Sequence, residues 1–264
     1  GVQNVAIGRD AMLSATTVQK VVALGYRAGY SLSTGDQRSV YLGEDTGFYN
    51  QTGIYNTYVG YRSGFGVSGN SNSYNVGLGY NSLNGISTGT HNTALGYQAG
   101  KGITTGTENV AIGSEAGKSL ADVDDAVLIG RLAGTSINSA DADGTVAVGT
   151  FALRYLTDGQ YNTAIGTSAL ATEDTGNYNT AVGYEALTTQ NVNGTVNNTA
   201  VGYKAGYAVT TAIEATILGS NAGVSLTEGQ YNTLIGAGAA ASLTTGDYNT
   251  ALGYRTLYTE DVGR

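Results

Sequence analysis

The sequence predicts an all-β chain, a parallel β-solenoid (β-roll) of about fifteen coils of 17–19 residues. Three observations carry that reading. A motif close to Asn-Thr-Ala-Val-Gly-Tyr-x-Ala recurs from end to end, with its glycine at Gly8, Gly25, Gly43, Gly60, Gly79, Gly96, Gly113, Gly130, Gly149, Gly166, Gly183, Gly202, Gly219, Gly236 and Gly253. Ten of the fourteen spacings are 17 residues, one is 18 and three are 19; a period of that size marks stacked coils, each resting on the next. The third observation is compositional. The 264 residues include 41 glycines and no proline, as expected where tight corners alternate with strands whose N–H groups are needed for a ladder.

The strand comes first. The residue before the anchor glycine is aliphatic in all fifteen coils, and the residue three before it is valine or threonine in all fifteen. Two residues apart on an extended chain, these columns share one face, and β-branched residues favour strands. The pair is expected to face the coil interior. The residue between them is then outward. It is alanine in nine coils, small enough to let a second surface approach closely. On this reading Ala94, Ala111, Ala147, Ala164, Ala181 and Ala200 lie at a contact between chains.

Asparagine stands four before the glycine in ten coils, among them Asn56, Asn75, Asn92, Asn109, Asn162, Asn179 and Asn198. Identical amides stacked at about 4.8 Å can bond to one another up the column. The anchor glycine marks a turn with positive φ or a close backbone approach. A second alanine column follows three after it, then usually Gly or Leu, then a less regular stretch ending in turns such as Thr88-Gly89 and Asp158-Gly159. The coil therefore reads as strand, glycine corner, second short strand, glycine turn. Fifteen coils at about 4.8 Å make a rod roughly 70 Å long.

Composition narrows the function. A net charge of −8 argues against nucleic-acid binding, which needs a basic stripe. Without cysteine there is no thiol or metal-thiolate chemistry, and no apolar run is long enough to span a membrane. Few large side chains fill the predicted interior, so symmetric self-association is expected to complete the burial. The chain is read as one repetitive domain, 1–264, and as a portion of a longer fibre protein, because solenoid ends need covering.

Tyrosine is the main chemical resource, with twenty copies. One column directly follows the anchor glycine; another directly precedes the column asparagine. Tyr61, Tyr80 and Tyr97 fall on successive coils and are expected to form a stacked stripe that could contact a glycan, apolar on its faces and hydrogen-bonding at the hydroxyls. The alternative is packing that merely covers a corner. The acidic segments Asp122–Asp125 and Asp141–Gly144 lack the spacing of a calcium loop, and His91 has no triad or metal partner, so no metal and no cofactor is expected. Adjacent carboxylates such as Glu173 and Asp174 diverge on a strand, and no coil has room for a catalytic loop, so the chain is not expected to be an enzyme. Threonine occupies one column in six successive coils, Thr163 to Thr250. Facing solvent, such an array would favour ice binding; buried, it would favour a fibre.

The coil, as in Tyr161-Asn-Thr-Ala-Ile-Gly166 or Asn179-Thr-Ala-Val-Gly-Tyr-Glu-Ala186, resembles the head repeats of trimeric autotransporter adhesins. It is closer still to the Asn-Thr-Ala-Val-Gly-Tyr-x-Ala-Leu repeats of phage tail-fibre proteins, and the resemblance covers essentially the whole chain. It implies a left-handed β-roll assembled as a parallel homotrimer, small strand residues near the contacts, and a structural or adhesive role in host-surface attachment. The protein would then sit in a virion tail fibre or on a bacterial surface. The adhesin repeat is shorter, near fourteen residues, and an adhesin's anchor and stalk are missing from this sequence.

Overall fold

A computed structural model describes residues 2–259. The described residues form a parallel β-solenoid of about fifteen turns and include one short 3-10 turn, Ala140–Ala142. The strands are β1 (Val5–Ile7), β2 (Gln19–Leu24), β3 (Asp36–Leu42), β4 (Thr57–Val59), β5 (Val76–Leu78), β6 (Thr93–Leu95), β7 (Val110–Ile112), β8 (Val127–Ile129) and β9 (Val146–Val148). They continue as β10 (Thr163–Ile165), β11 (Gly176–Asn177), β12 (Thr180–Val182), β13 (Gly194–Thr195), β14 (Thr199–Val201), β15 (Thr216–Leu218), β16 (Thr233–Ile235) and β17 (Thr250–Leu252). In the first unit β1 to β7 are parallel neighbours in sequence order, in the second β9, β10, β12 and β14 to β17 are, and β11 pairs with β13. The chain divides into two compact units. One gathers the residues up to Leu128 with Asn138–Ala140, the other Ile129–Ile137 and the residues from Asp141 on.

In both units the repeat columns are in register. Val5 pairs with Val22 and Ile7 with Leu24 in the first unit; Thr163 pairs with Thr180 and Ile165 with Val182 in the second. The ladder also continues around the corners. The N–H groups of Ser87, Thr88 and Gly89 all donate to the Thr104 carbonyl at 2.9–3.2 Å, and those of Thr210, Thr211 and Ala212 to that of Thr227 at 2.9–3.3 Å. With N–H donors used this densely, the absence of proline has a direct cause.

Two sequence expectations are corrected. The strand faces are the reverse of those predicted. Ala94, Ala111, Ala147, Ala164, Ala181 and Ala200 are completely buried inside the single chain, so the alanine column is coil interior and not a surface for a second chain. The flanking residues point outward: Ile7 is 58% exposed, Leu78 48% and Val76 38%. The cause is space. A 17-residue coil encloses a narrow interior, and the second alanine column, which includes Ala99, Ala116, Ala152, Ala169 and Ala186, faces the first from across it with no exposure. Only small residues fit in pairs there.

The second correction concerns the return segment. Apart from β11, β13 and an isolated bridge between Ser73 and Thr90, no second strand forms among the described residues. Instead, residues two and four after each anchor glycine take left-handed backbone, as at Gln98 (φ 54) and Gly100 (φ 54). Left-handed residues at alternate positions turn the chain too sharply for a strand.

The anchor glycine meets both of its expected requirements. Gly96 has φ 134, and a Cβ there would lie 2.7 Å from the Gly113 carbonyl oxygen. Stacked backbones leave no room for a side chain.

A further apolar column completes the core. Seven residues after the anchor stand Leu32, Ile86, Ile103, Leu120, Ile137, Leu156, Leu226 and Leu243, all fully buried. Volumes are traded across the interior. Where the strand centre is large, as at Tyr41, Tyr58, Ile217 and Leu234, the position four after the anchor is Gly47, Gly64, Gly223 and Ala240. Where that position is Leu83, Leu153, Leu170 or Leu187, the strand centre is Gly77, Ala147, Ala164 or Ala181.

Candidate functional site: the outer columns and the corner after the anchor glycine

Asparagine belongs to the interior scaffold. Each predicted ladder residue is buried, and the amides link coil to coil. Asn92 Oδ1 accepts the backbone N–H of Asn109 at 3.1 Å and its Nδ2 at 3.0 Å, while Asn92 Nδ2 donates to the Gly106 carbonyl at 2.8 Å. The pattern repeats from Asn56 to Asn75 to Asn92, and from Asn162 to Asn179. Asn198 continues it, donating to the Ala212 carbonyl and accepting from the Ala215 N–H. Low dielectric strengthens such a network and makes a broken member expensive.

The tyrosine columns are outside. Tyr61 and Tyr80 stack with ring centroids 5.2 Å apart, and Tyr80 and Tyr97 at 5.4 Å. Tyr80 and Tyr97 are each about half exposed. The column before the asparagines stacks likewise, Tyr55 on Tyr74 at 5.2 Å and Tyr74 on His91 at 4.7 Å. His91 thus continues an aromatic column. Its backbone is left-handed (φ 59), as is that of Tyr55, Tyr74, Tyr161 and Tyr178 at the same repeat position.

Two tyrosines do something different. Tyr41 and Tyr58 lie inside, their rings 6.0 Å apart. The Tyr41 hydroxyl accepts from Asn50 Nδ2 at 3.0 Å, and the Tyr58 hydroxyl donates to Asn72 Oδ1 at 2.6 Å. Burial raises the pKa of Tyr41 and raises that of Tyr58 well above the ordinary value of 10.0, because a phenolate would lose its hydration.

The adjacent carboxylates Glu173 and Asp174 take different partners. Glu173 is buried and accepts from the Gly176 N–H at 2.8 Å and from Gln190 Nε2 at 2.8 Å. Asp174 turns away to accept from Thr157 Oγ1 at 2.6 Å. Asp124 takes the N–H and hydroxyl of Thr107 at 2.6 and 2.9 Å. Among the described residues no three of His, Asp and Glu converge in a way that would hold a metal ion.

What composition hides is where the cations sit. Arg9, Arg27, Arg62, Lys101, Lys118, Arg131, Arg154, Lys204 and Arg255 all stand one, two or five residues after an anchor glycine; they are nine of the twelve cations. Only five acidic residues share those positions: Asp10, Glu44, Asp45, Glu115 and Glu185. On a chain of net charge −8, this corner is therefore net basic. Guanidinium groups lie over the aromatic rings there, Arg9 4.4 Å above Tyr26, Arg131 4.4 Å above Phe151 and Arg62 4.9 Å above Phe65. Arg27 reaches the buried Asp45 through two bonds of 2.8 and 2.9 Å, which raise its pKa, and Arg62 approaches the same carboxylate at 3.4 Å. Lys204 is raised by its bond to Glu185.

Comparison with protein-family models, with curated proteins and with solved structures finds no match for this chain. The functional reading rests on the columns themselves.

Proposed function

We propose that this chain is a structural segment of a trimeric surface fibre, non-enzymatic, in which three parallel copies pack through the outward aliphatic and β-branched columns. The observation that carries the reading is the exposure of those columns. In the first unit they run along β1–β7, six steps of about 4.8 Å, and four residue steps span them to the following tyrosine column, so the face measures roughly 400 Å². A face of about the same size runs along β9–β17. Each face alone is a substantial part of the roughly 800 Å² that one partner buries in a standard interface, and contiguous patches of this kind often mark interaction surfaces. The repeat resemblance to phage tail fibres and adhesin heads supports a virion or cell-surface setting, with the stacked Tyr61, Tyr80 and Tyr97 as a glycan-contacting stripe.

The absence of cysteine makes the test direct. Leu95→Cys is expected to cross-link between chains with a short bismaleimide, while Ala94→Cys, inside its own coil, is not. Cross-linking from Ala94 alone would reverse the assignment.

One observation favours a second reading. The threonines of the second unit, Thr163, Thr180, Thr199, Thr216, Thr233 and Thr250, point outward and are half-buried or exposed. A regular hydroxyl column beside an aliphatic one is the arrangement an ice-binding face needs, provided no second chain covers it. Thermal hysteresis that disappears in Thr199→Tyr would establish that reading; its absence in the unmodified protein would remove it.

A further inference from the structure

At one place the corner after the anchor glycine opens into a notch of about 300 Å³. It is built by three successive coils in the second unit. Ser220, Asn221 and Val224 form one wall, and Tyr254, Arg255 and Tyr258 the other. The coil between them is small at the three corresponding positions: Ala237, Gly238 and Ala241. Other coils set the contrast, with Tyr254, Arg255 and Tyr258 in the next coil and Tyr203, Lys204 and Tyr207 two coils before. The notch is thus the space left where one coil lacks its corner side chains. A Cβ at Gly238 would come 3.3 Å from Arg255 Cγ and 3.4 Å from Tyr258 Cε2, so glycine holds it open.

The lining specifies a ligand chemistry. The Arg255 guanidinium lies 5.2 Å from the Tyr254 ring centre and 4.9 Å from that of Tyr258. Stacking of this kind uses the faces of the guanidinium and leaves its N–H edge available for a planar oxyanion. Among the described residues no carboxylate pairs with Arg255, in contrast to Arg27 and Arg62, which share Asp45. The tyrosine rings offer apolar surface for a sugar's C–H face, and the Asn221 amide and Ser220 hydroxyl offer hydrogen bonds on the opposite wall. The volume falls at the small end of the range for small-molecule sites.

We propose that this notch binds an acidic saccharide, a sugar ring whose carboxylate pairs with Arg255 while its C–H face lies on Tyr254 or Tyr258. The site is independent of the Tyr61, Tyr80 and Tyr97 stripe.

Two substitutions test it without threatening the fold, because the same left-handed column carries Gln98 at φ 54. Arg255→Gln removes the charge, and Gly238→Gln fills the notch. The probes are trigalacturonate, trimannuronate and triguluronate, each beside its neutral methyl ester, titrated calorimetrically at low salt. At least one acid is expected to bind, about tenfold more tightly than its ester, with that advantage lost in Arg255→Gln and all binding lost in Gly238→Gln. Failure of all three acids to bind the unmodified protein, or binding untouched by Gly238→Gln, would overturn the proposal. Equal binding of acid and ester would overturn its charge requirement. Alanine replacement of Tyr61, Tyr80 and Tyr97 together is expected to leave this binding unchanged, which separates the two sites.

Discussion

Asn92→Ala should destabilise the solenoid far more than its size implies. The side chain touches no solvent and is bonded on both sides. Its removal orphans the buried Asn109 N–H, held at 3.1 Å, and the Gly106 carbonyl, held at 2.8 Å. It also takes one partner each from Asn109 Nδ2 and Asn75 Oδ1, which keep the Val123 carbonyl and the N–H of residue 92. Each fully orphaned group costs about 1–3 kcal/mol, so the expected loss is about 4 kcal/mol. The side-chain volume removed is too small to account for that through packing. Urea unfolding followed by circular dichroism gives the stability, and amide exchange locates it. Protection of the Asn109 amide should collapse first, because solenoid stability is a sum of nearest-neighbour terms. A loss below about 1 kcal/mol with the Asn109 amide still protected would refute the ladder as a stabilising element.

Gly96→Ala is expected to cost at least about 3 kcal/mol, from a strained φ and a clash with the next backbone; urea midpoints should show it, and a silent substitution would mean that the coils can spread at the corner. Tyr80→Ala should cost about 1–3 kcal/mol, since the half-exposed ring stacks on both Tyr61 and Tyr97; thermal melts are the check, and a cost well above that would make the stripe structural. Tyr41 and Tyr58 hold their protons more tightly folded than unfolded, so their stabilising effect is complete below about pH 10 and is lost as pH rises through the higher folded-state values. Absorbance at 295 nm should therefore show a late alkaline step coupled to unfolding, absent when both residues are changed to Phe.

Architecture was legible because it is written in columns. The invariant glycines, the β-branched positions and the asparagines each answer to one local requirement, which repetition makes visible. Strand polarity was not legible, because period-two alternation gives two faces and does not say which is inside. The apolar residues in the strand invited the wrong choice, as large aliphatics normally mark a core. The deciding signal lay further along the coil, in the Leu and Ile residues seven after the glycine, such as Ile86 and Leu120. They already fill much of the interior and leave room for at most one large side chain between the strand centre and the position four after the glycine. Size exchange between Tyr58 and Gly64, or Leu187 and Ala181, carried the same message. The return segment was misread because residues such as Gln98 and Leu153 take left-handed backbone that their side chains do not advertise. The aromatic stacks were foreseen from spacing. The basic corner was not, since a net charge of −8 conceals cations gathered at three positions of a repeat.

Sedimentation equilibrium of the unmodified chain tests the outward face most directly. Each chain has a mass of 26.9 kDa, so a trimer packed through its aliphatic columns should sediment at three times that mass. Leu95→Lys with Ile112→Lys should return it to single chains, because two charges placed in a buried apolar face carry a desolvation penalty. A stable species of one chain mass at high protein concentration would contradict the assembly and leave the outward threonine and aliphatic columns open to solvent.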